Sequence, residues 1–133
     1  MNRFYLKVAS RAEKVCEYCR APELASNFSF EVEHIRPLAF DGETELENLA
    51  LAGRSCNVYK RDYLNGIDEN GAETERLFNP RIDVWQEHFF IDLEDFIIIR
   101  LSEIGRGTIN RLRMNNLLQL QARKQWHRLE LFP

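Results

Sequence analysis

The amino-acid sequence predicts an α+β fold in one domain, and three observations carry that expectation. The chain has 133 residues, 44% of them hydrophobic, enough for one core without disulfide staples. The segment FSFEVEHI, residues 28–35, alternates apolar and polar positions, the period of a half-buried strand. Toward the C-terminus, Ser102 stands in front of one helical pattern, where short oxygen-bearing side chains cap helices, and a second helical pattern follows over residues 116–129.

The elements follow in order. Residues 5–14 read as a short helix with Leu6 and Ala9 on one side. Cys16 and Cys19 bracket a CxxC knuckle, and the strand over residues 28–35 follows. Pro37 and the pair Asp41, Gly42 punctuate the next connection. Residues 48–61 read as a second short element turning into a helix, and residues 66–80 as a surface loop closing at Asn79 and Pro80. Strand-like runs are expected over 87–93 and 95–101, then helices over 103–114 and 116–129. There is no internal repeat and no low-complexity segment.

No apolar run approaches the roughly 20 residues of a membrane span. The N-terminal stretch MNRFYLKVASRAEK has no apolar core of a secretory leader, so a cytoplasmic protein without disulfides is expected. The net charge of -3 conceals strong segregation. Residues 1–20 carry five basic and two acidic groups, and residues 50–66 three against one. Residues 100–133 carry seven basic and two acidic groups. The intervening blocks are acidic, with seven acids in 21–49 and nine in 67–99. A local field steers a polyanion more than a total does, so the sum does not exclude a nucleic-acid partner.

Three cysteines are too few for a disulfide framework and one short of an all-cysteine zinc site. The knuckle Cys16, Cys19 would be completed by a second one, and Gly53-Arg-Ser-Cys56 has that spacing with glycine in the first corner. Cys16, Cys19 and Cys56 are therefore expected close together in space. They would hold a structural Zn²⁺ with a fourth ligand from His88, His127 or an acid, or form a metal-free thiol cluster. His88, in the aromatic run WQEHFF, reads first as a core or interface histidine, and His127, beside Trp126, as a packing residue.

Between the half-knuckles stand Glu33-His34, then Glu47-Asn48-Leu49, then Cys56-Asn57-Val58-Tyr59-Lys60, a pattern His34-x13-Asn48-x8-Asn57. With the cysteines, this ordered set resembles the HNH endonuclease family. Its C-terminal segments LFNPR, GRGT and LFP resemble the extension of a bacterial HNH subgroup. The resemblance implies a ββα-metal core at about residues 10–65 and an extension over about 76–133, completing one domain. It implies a phosphodiester hydrolase acting on DNA, with RNA as the alternative substrate. His34 would be the general base, its imidazole pKa suited to neutral solution. Glu33 and Asn57 would ligate a catalytic Mg²⁺ or Mn²⁺ through oxygen, and Asn48 would hold the loop that orients His34. Arg36, Arg54, Lys60 and Arg61 would meet phosphates. A homodimer or a partner protein is compatible with the sequence. The rival expectations are a decayed HNH module that binds without cleaving, and a metal or redox sensor built on the cysteines.

Overall fold

Alternation in Glu31–His34 makes strand β1, and the apolar Leu49–Ala52 makes strand β2. They pair antiparallel with Glu31 opposite Ala52, Glu33 opposite Ala50 and His34 opposite Leu49. The structure, a computed structural model, describes residues 2–133. Helix α1, Tyr5–Arg11, buries Tyr5, Val8 and Ala9, an i, i+3, i+4 stripe, against Leu49, Leu51 and Val32 on one face of the hairpin. It stops earlier than expected, because Glu13 and Lys14 turn left-handed at φ 56° and 57°.

The opposite face carries Ala50 and Ala52 into the larger core with the three cysteines, Tyr18, Phe78, Trp85 and Phe89. Helix α2, Arg54–Lys60, packs on this face immediately after β2. The consecutive units β1, β2 and α2 thus form a ββα unit, and the mixed α+β architecture is as expected.

Residues 66–80 do not form a plain loop. Strands β3, Asn65–Ile67, and β4, Glu73–Arg76, make a hairpin. Its turn is held by Asp68 Oδ1, which accepts from the backbone N–H of Asn70 and Ala72 at 2.8 and 3.0 Å, with Gly71 at φ 86°. Residues 85–88 also differ from expectation. Trp85–His88 winds one helical turn, α3, and strand β5 begins only at Phe89, running to Ile91 against β6, Ile98–Arg100. The indole of Trp85 fixes that turn by donating to the Tyr18 carbonyl at 2.8 Å.

The Ser102 cap stands where the sequence places it, while Asn116, expected as the first residue of the last helix, is its cap instead. Ser102 Oγ accepts from Gly105 N at 3.0 Å to start helix α4, Glu103–Arg111. Asn116 Oδ1 accepts from Gln119 N at 3.0 Å to start helix α5, Leu117–Arg128. Helix α4 lies on β3 so closely that a Cβ on Gly66 would stand 2.5 Å from the Gly107 Cα. Leu112 and Met114 join the larger core, and Trp126 of α5 packs against it, so the C-terminal half shares its core with the ββα unit. Among the described residues, no helix is long and apolar enough to cross a membrane.

Candidate active site and cysteine corner

His34 closes β1, half-buried, at the point where the chain leaves the sheet. Its Nε2 lies 2.9 Å from Thr44 Oγ1. Thr44 lies at the far side of the loop over residues 36–43, and Asn48 ties that loop down. Asn48 Oδ1 accepts from Arg36 N at 2.8 Å, while its Nδ2 donates to the carbonyls of Arg36 at 3.0 Å and Glu43 at 2.8 Å. The loop is tight enough that a Cβ on Gly42 would collide with the Arg36 carbonyl oxygen. Asn48 therefore caps no helix. The residue preceding α2 is Gly53, and its cap lacks a side-chain bond.

Strand periodicity separates Glu33 from His34. Glu33 sits opposite Ala50 on the face that meets α2, whereas His34 sits opposite Leu49 on the face that meets α1. Glu33 is buried, and both its oxygens are engaged. Oε1 accepts from the Tyr18 hydroxyl, and Oε2 pairs with Lys60 Nζ at 3.1 Å. Burial pushes the Glu33 carboxyl up, opposed by the Lys60 ammonium, and pushes the Tyr18 hydroxyl well up with the Glu33 charge adding to it. Lys60 also donates to the carbonyls of His34 and Ile35, each at 3.2 Å. The expectation that Lys60 reaches a phosphate is corrected: at 1% exposure its ammonium sits inside the molecule, clamping the end of β1 to α2.

Asn57 lies on the same side as Glu33 but has another partner, its Nδ2 donating to Glu31 Oε2 at 2.6 Å. Arg54 holds the second Glu31 oxygen at 2.7 Å. The two side chains expected as ligands of a catalytic cation thus differ: both Glu33 oxygens are engaged by Tyr18 and Lys60 and do not fit that ion in this arrangement, whereas Asn57 engages only its Nδ2, on Glu31. Arg36, Arg54 and Arg61 are exposed, as phosphate contacts must be.

At the other end of the ββα unit the three cysteines meet as expected. The sulfurs of Cys16, Cys19 and Cys56 lie within 4.8 Å of one another, all buried and none in a disulfide. The knuckle is shaped by backbone bonds. Cys16 N donates to Ala21 O at 2.9 Å and Arg20 N to Cys16 O at 3.0 Å, with Arg20 left-handed at φ 69°. Glu17 fastens the knuckle to β2, its N–H donating to Leu51 O at 2.9 Å and its Oε2 accepting from Leu51 N at 2.8 Å. Arg81 pairs with its other oxygen.

Three sulfurs at this spacing fit a tetrahedral thiophilic ion, for which Zn–S bonds of about 2.3 Å put sulfurs about 3.8 Å apart. Burial raises the Cys16 thiol, but bonds from the Cys19 and Cys56 thiols and from backbone at Cys19 and Gly53 outweigh it. They hold Cys16 well below its ordinary value. As donors to Cys16, Cys19 and Cys56 are pushed up. Neither histidine considered as a fourth ligand is near the sulfurs. His88 Nδ1 is 2.6 Å from Ser102 Oγ, and His127 Nδ1 is 2.9 Å from the Phe132 carbonyl, both away from the sulfurs.

Several residues at these sites escaped the sequence reading. Glu31, the partner of Asn57, is visible in principle, since positions 31 and 33 share a strand face. Thr44 and Tyr18 carry no local signal for their roles. Gln119 and Arg123 reach the cysteine corner from α5, more than sixty residues along the chain from Cys56.

No curated protein and no solved structure matches the chain. Residues 16–62, from the first knuckle cysteine through β1 and β2 to just beyond α2, match the family model described as HNH endonuclease, about a third of the chain.

Proposed function

We propose that this protein hydrolyses phosphodiester bonds in DNA, with His34 as the general base that takes a proton from the attacking water. The observation that carries the reading is the position of His34. It is the last residue of β1 in a ββα unit, half-buried, with its ring nitrogen held by Thr44 on a loop that Asn48 fixes with three hydrogen bonds. Imidazole is the side chain best suited to accept a proton at neutral pH, and here it is held in place. Lys60 acts as a positioning residue, because its ammonium holds the carbonyls of His34 and Ile35 while neutralising Glu33. The exposed Arg36, Arg54 and Arg61 supply phosphate contacts, which orient a duplex without reading its sequence. Mg²⁺ or Mn²⁺ would supply the charge that stabilises the leaving oxygen.

Plasmid incubated with Mg²⁺ or Mn²⁺ should be nicked or cut, and His34→Ala should slow the reaction by about 10²–10⁴-fold. Intact plasmid, linear duplex, single-stranded DNA and RNA across both ions would contradict the reading, and cleavage of RNA alone would reassign the substrate. One observation favours a second reading, a binding module on an HNH scaffold: both oxygens of Glu33 are committed to Tyr18 and Lys60. That reading expects DNA retention unchanged in His34→Ala and no cleavage by the wild type.

A further inference from the structure

We propose that Cys16, Cys19 and Cys56 hold a thiophilic divalent cation in a three-thiolate site whose fourth position is filled from the adjoining cavity by an exogenous monodentate anion. The corner would then be an open, exchangeable centre and not a closed structural one. The inference stands on the cysteine corner alone and is independent of DNA cleavage.

The first support is the missing corner. Gly53 occupies the place a fourth cysteine would take, with φ -66° and ψ 159°, a conformation open to any residue. A Cβ there would lie 3.7 Å from the Cys16 Cβ and 3.5 Å from the Phe30 ring, ordinary contacts. Glycine is therefore not demanded by the backbone, and its consequence is a gap beside the sulfurs. The second support is what fills that gap. A cavity of about 450 Å³ is lined by Gly53, Cys19, Cys56, Phe30, Gln119 and Trp126, so two of the three sulfur-bearing residues border it.

The third support is an orphaned donor in the cavity wall. Gln119 is 7% exposed, and its Nε2 has no hydrogen-bond partner. A buried amide N–H left without an acceptor costs roughly 1–3 kcal/mol, a cost that an acceptor bound beside Gln119 would relieve. The surroundings are also cationic. Arg123 is fully buried within electrostatic reach of all three cysteines, and Arg20, stacked 4.8 Å over the Trp85 ring, lies within reach of Cys16 and Cys19. Three thiolates on a divalent ion carry net negative charge, which these guanidinium groups offset. Closed structural sites present four protein ligands, whereas sites with three keep a position for an outside donor.

The test uses the full chain, purified under a phosphine reductant so that no thiol is present. Co²⁺ is the probe, because its thiolate charge-transfer and visible bands report both ligand type and geometry. Wild type should bind one Co²⁺ per chain, displaced by Zn²⁺, and its visible bands should shift on titration with azide or 2-mercaptoethanol. Gly53→Cys should bind Co²⁺ with bands that neither reagent moves. Gln119→Leu should keep one Co²⁺ per chain while weakening the added anion about tenfold or more. Wild type that binds neither Co²⁺ nor Zn²⁺, or whose Co²⁺ bands ignore both reagents, overturns the proposal. If Gly53→Cys does not fold, the wild-type titration still decides whether the position is open. Unchanged anion affinity in Gln119→Leu then overturns the assignment of the cavity.

Discussion

The two ends of the ββα unit are built on opposite plans. At the His34 end the side chains are half-buried or exposed, and a loop is held by side-chain bonds to backbone, with Asn48 at its centre. At the cysteine end every sulfur is buried, and the knuckle is held by backbone bonds and by Glu17 on β2. An exposed polar loop can bring a base to a large substrate, while a buried sulfur cluster can organise the chain but not touch a duplex. The proposed DNA chemistry therefore belongs at the first end, and the proposed metal site at the second.

Lys60 joins the two halves of that comparison, and its loss should have the largest effect on stability. Lys60→Met leaves Glu33 buried without its counter-charge and two carbonyls without a donor. Removal of one partner of a buried ion pair costs about 3–5 kcal/mol. Urea unfolding measures this. An unchanged midpoint, with loss confined to DNA affinity, would return Lys60 to the phosphate-contacting role.

Asn48→Ala comes next. Three hydrogen bonds disappear, so a stability loss of about 1–3 kcal/mol is expected. Turnover should fall further than binding, roughly 10²-fold if the loop moves by 1 Å. Full turnover in a folded Asn48→Ala protein would mean the loop does not position His34.

A smaller effect separates binding from folding. Arg54→Ala and Arg61→Ala should each weaken DNA binding with a shallower salt dependence and leave the melting temperature within about 1 °C, since exposed ion pairs contribute little. An unaltered salt slope would remove these residues from the interface.

How far the sequence anticipated this molecule depends on whether the signal was local. Ser102 caps its helix as expected, because capping needs only a side chain three residues before its N–H. Alternation located β1, and the cysteine spacing brought three sulfurs together. The β3–β4 hairpin was not legible, since Glu73–Arg76 is polar and largely exposed and offers no apolar alternation to read. Lys60 was misread for a similar reason: lysines are almost never fully buried unless paired, and its partner Glu33 lies in another element. Gly53 announced a missing ligand, but the cavity beside it depends on Gln119 and Trp126 from α5, which spacing alone does not bring there.

The smallest predicted effect lies in the C-terminal half, remote from both ends. Bonds from Arg106 and Asn110 pull the exposed Glu69 carboxyl down from 4.5 to about 2. A carboxyl whose folded pKa is depressed contributes stability above its unfolded value and loses it as pH falls through the folded one. The melting-temperature gap between wild type and Glu69→Gln should therefore be constant above about pH 5 and close between pH 4.5 and 2. A gap independent of pH would contradict the ion pair, and neither end of the ββα unit should respond.

The most direct test of the division between the two ends is made on His34→Ala alone, measuring plasmid cleavage, melting temperature and bound metal in the same preparation. The account predicts cleavage reduced by about 10²–10⁴-fold with melting temperature and metal content unchanged. Wild-type cleavage in that variant, or loss of metal and fold along with activity, would contradict it.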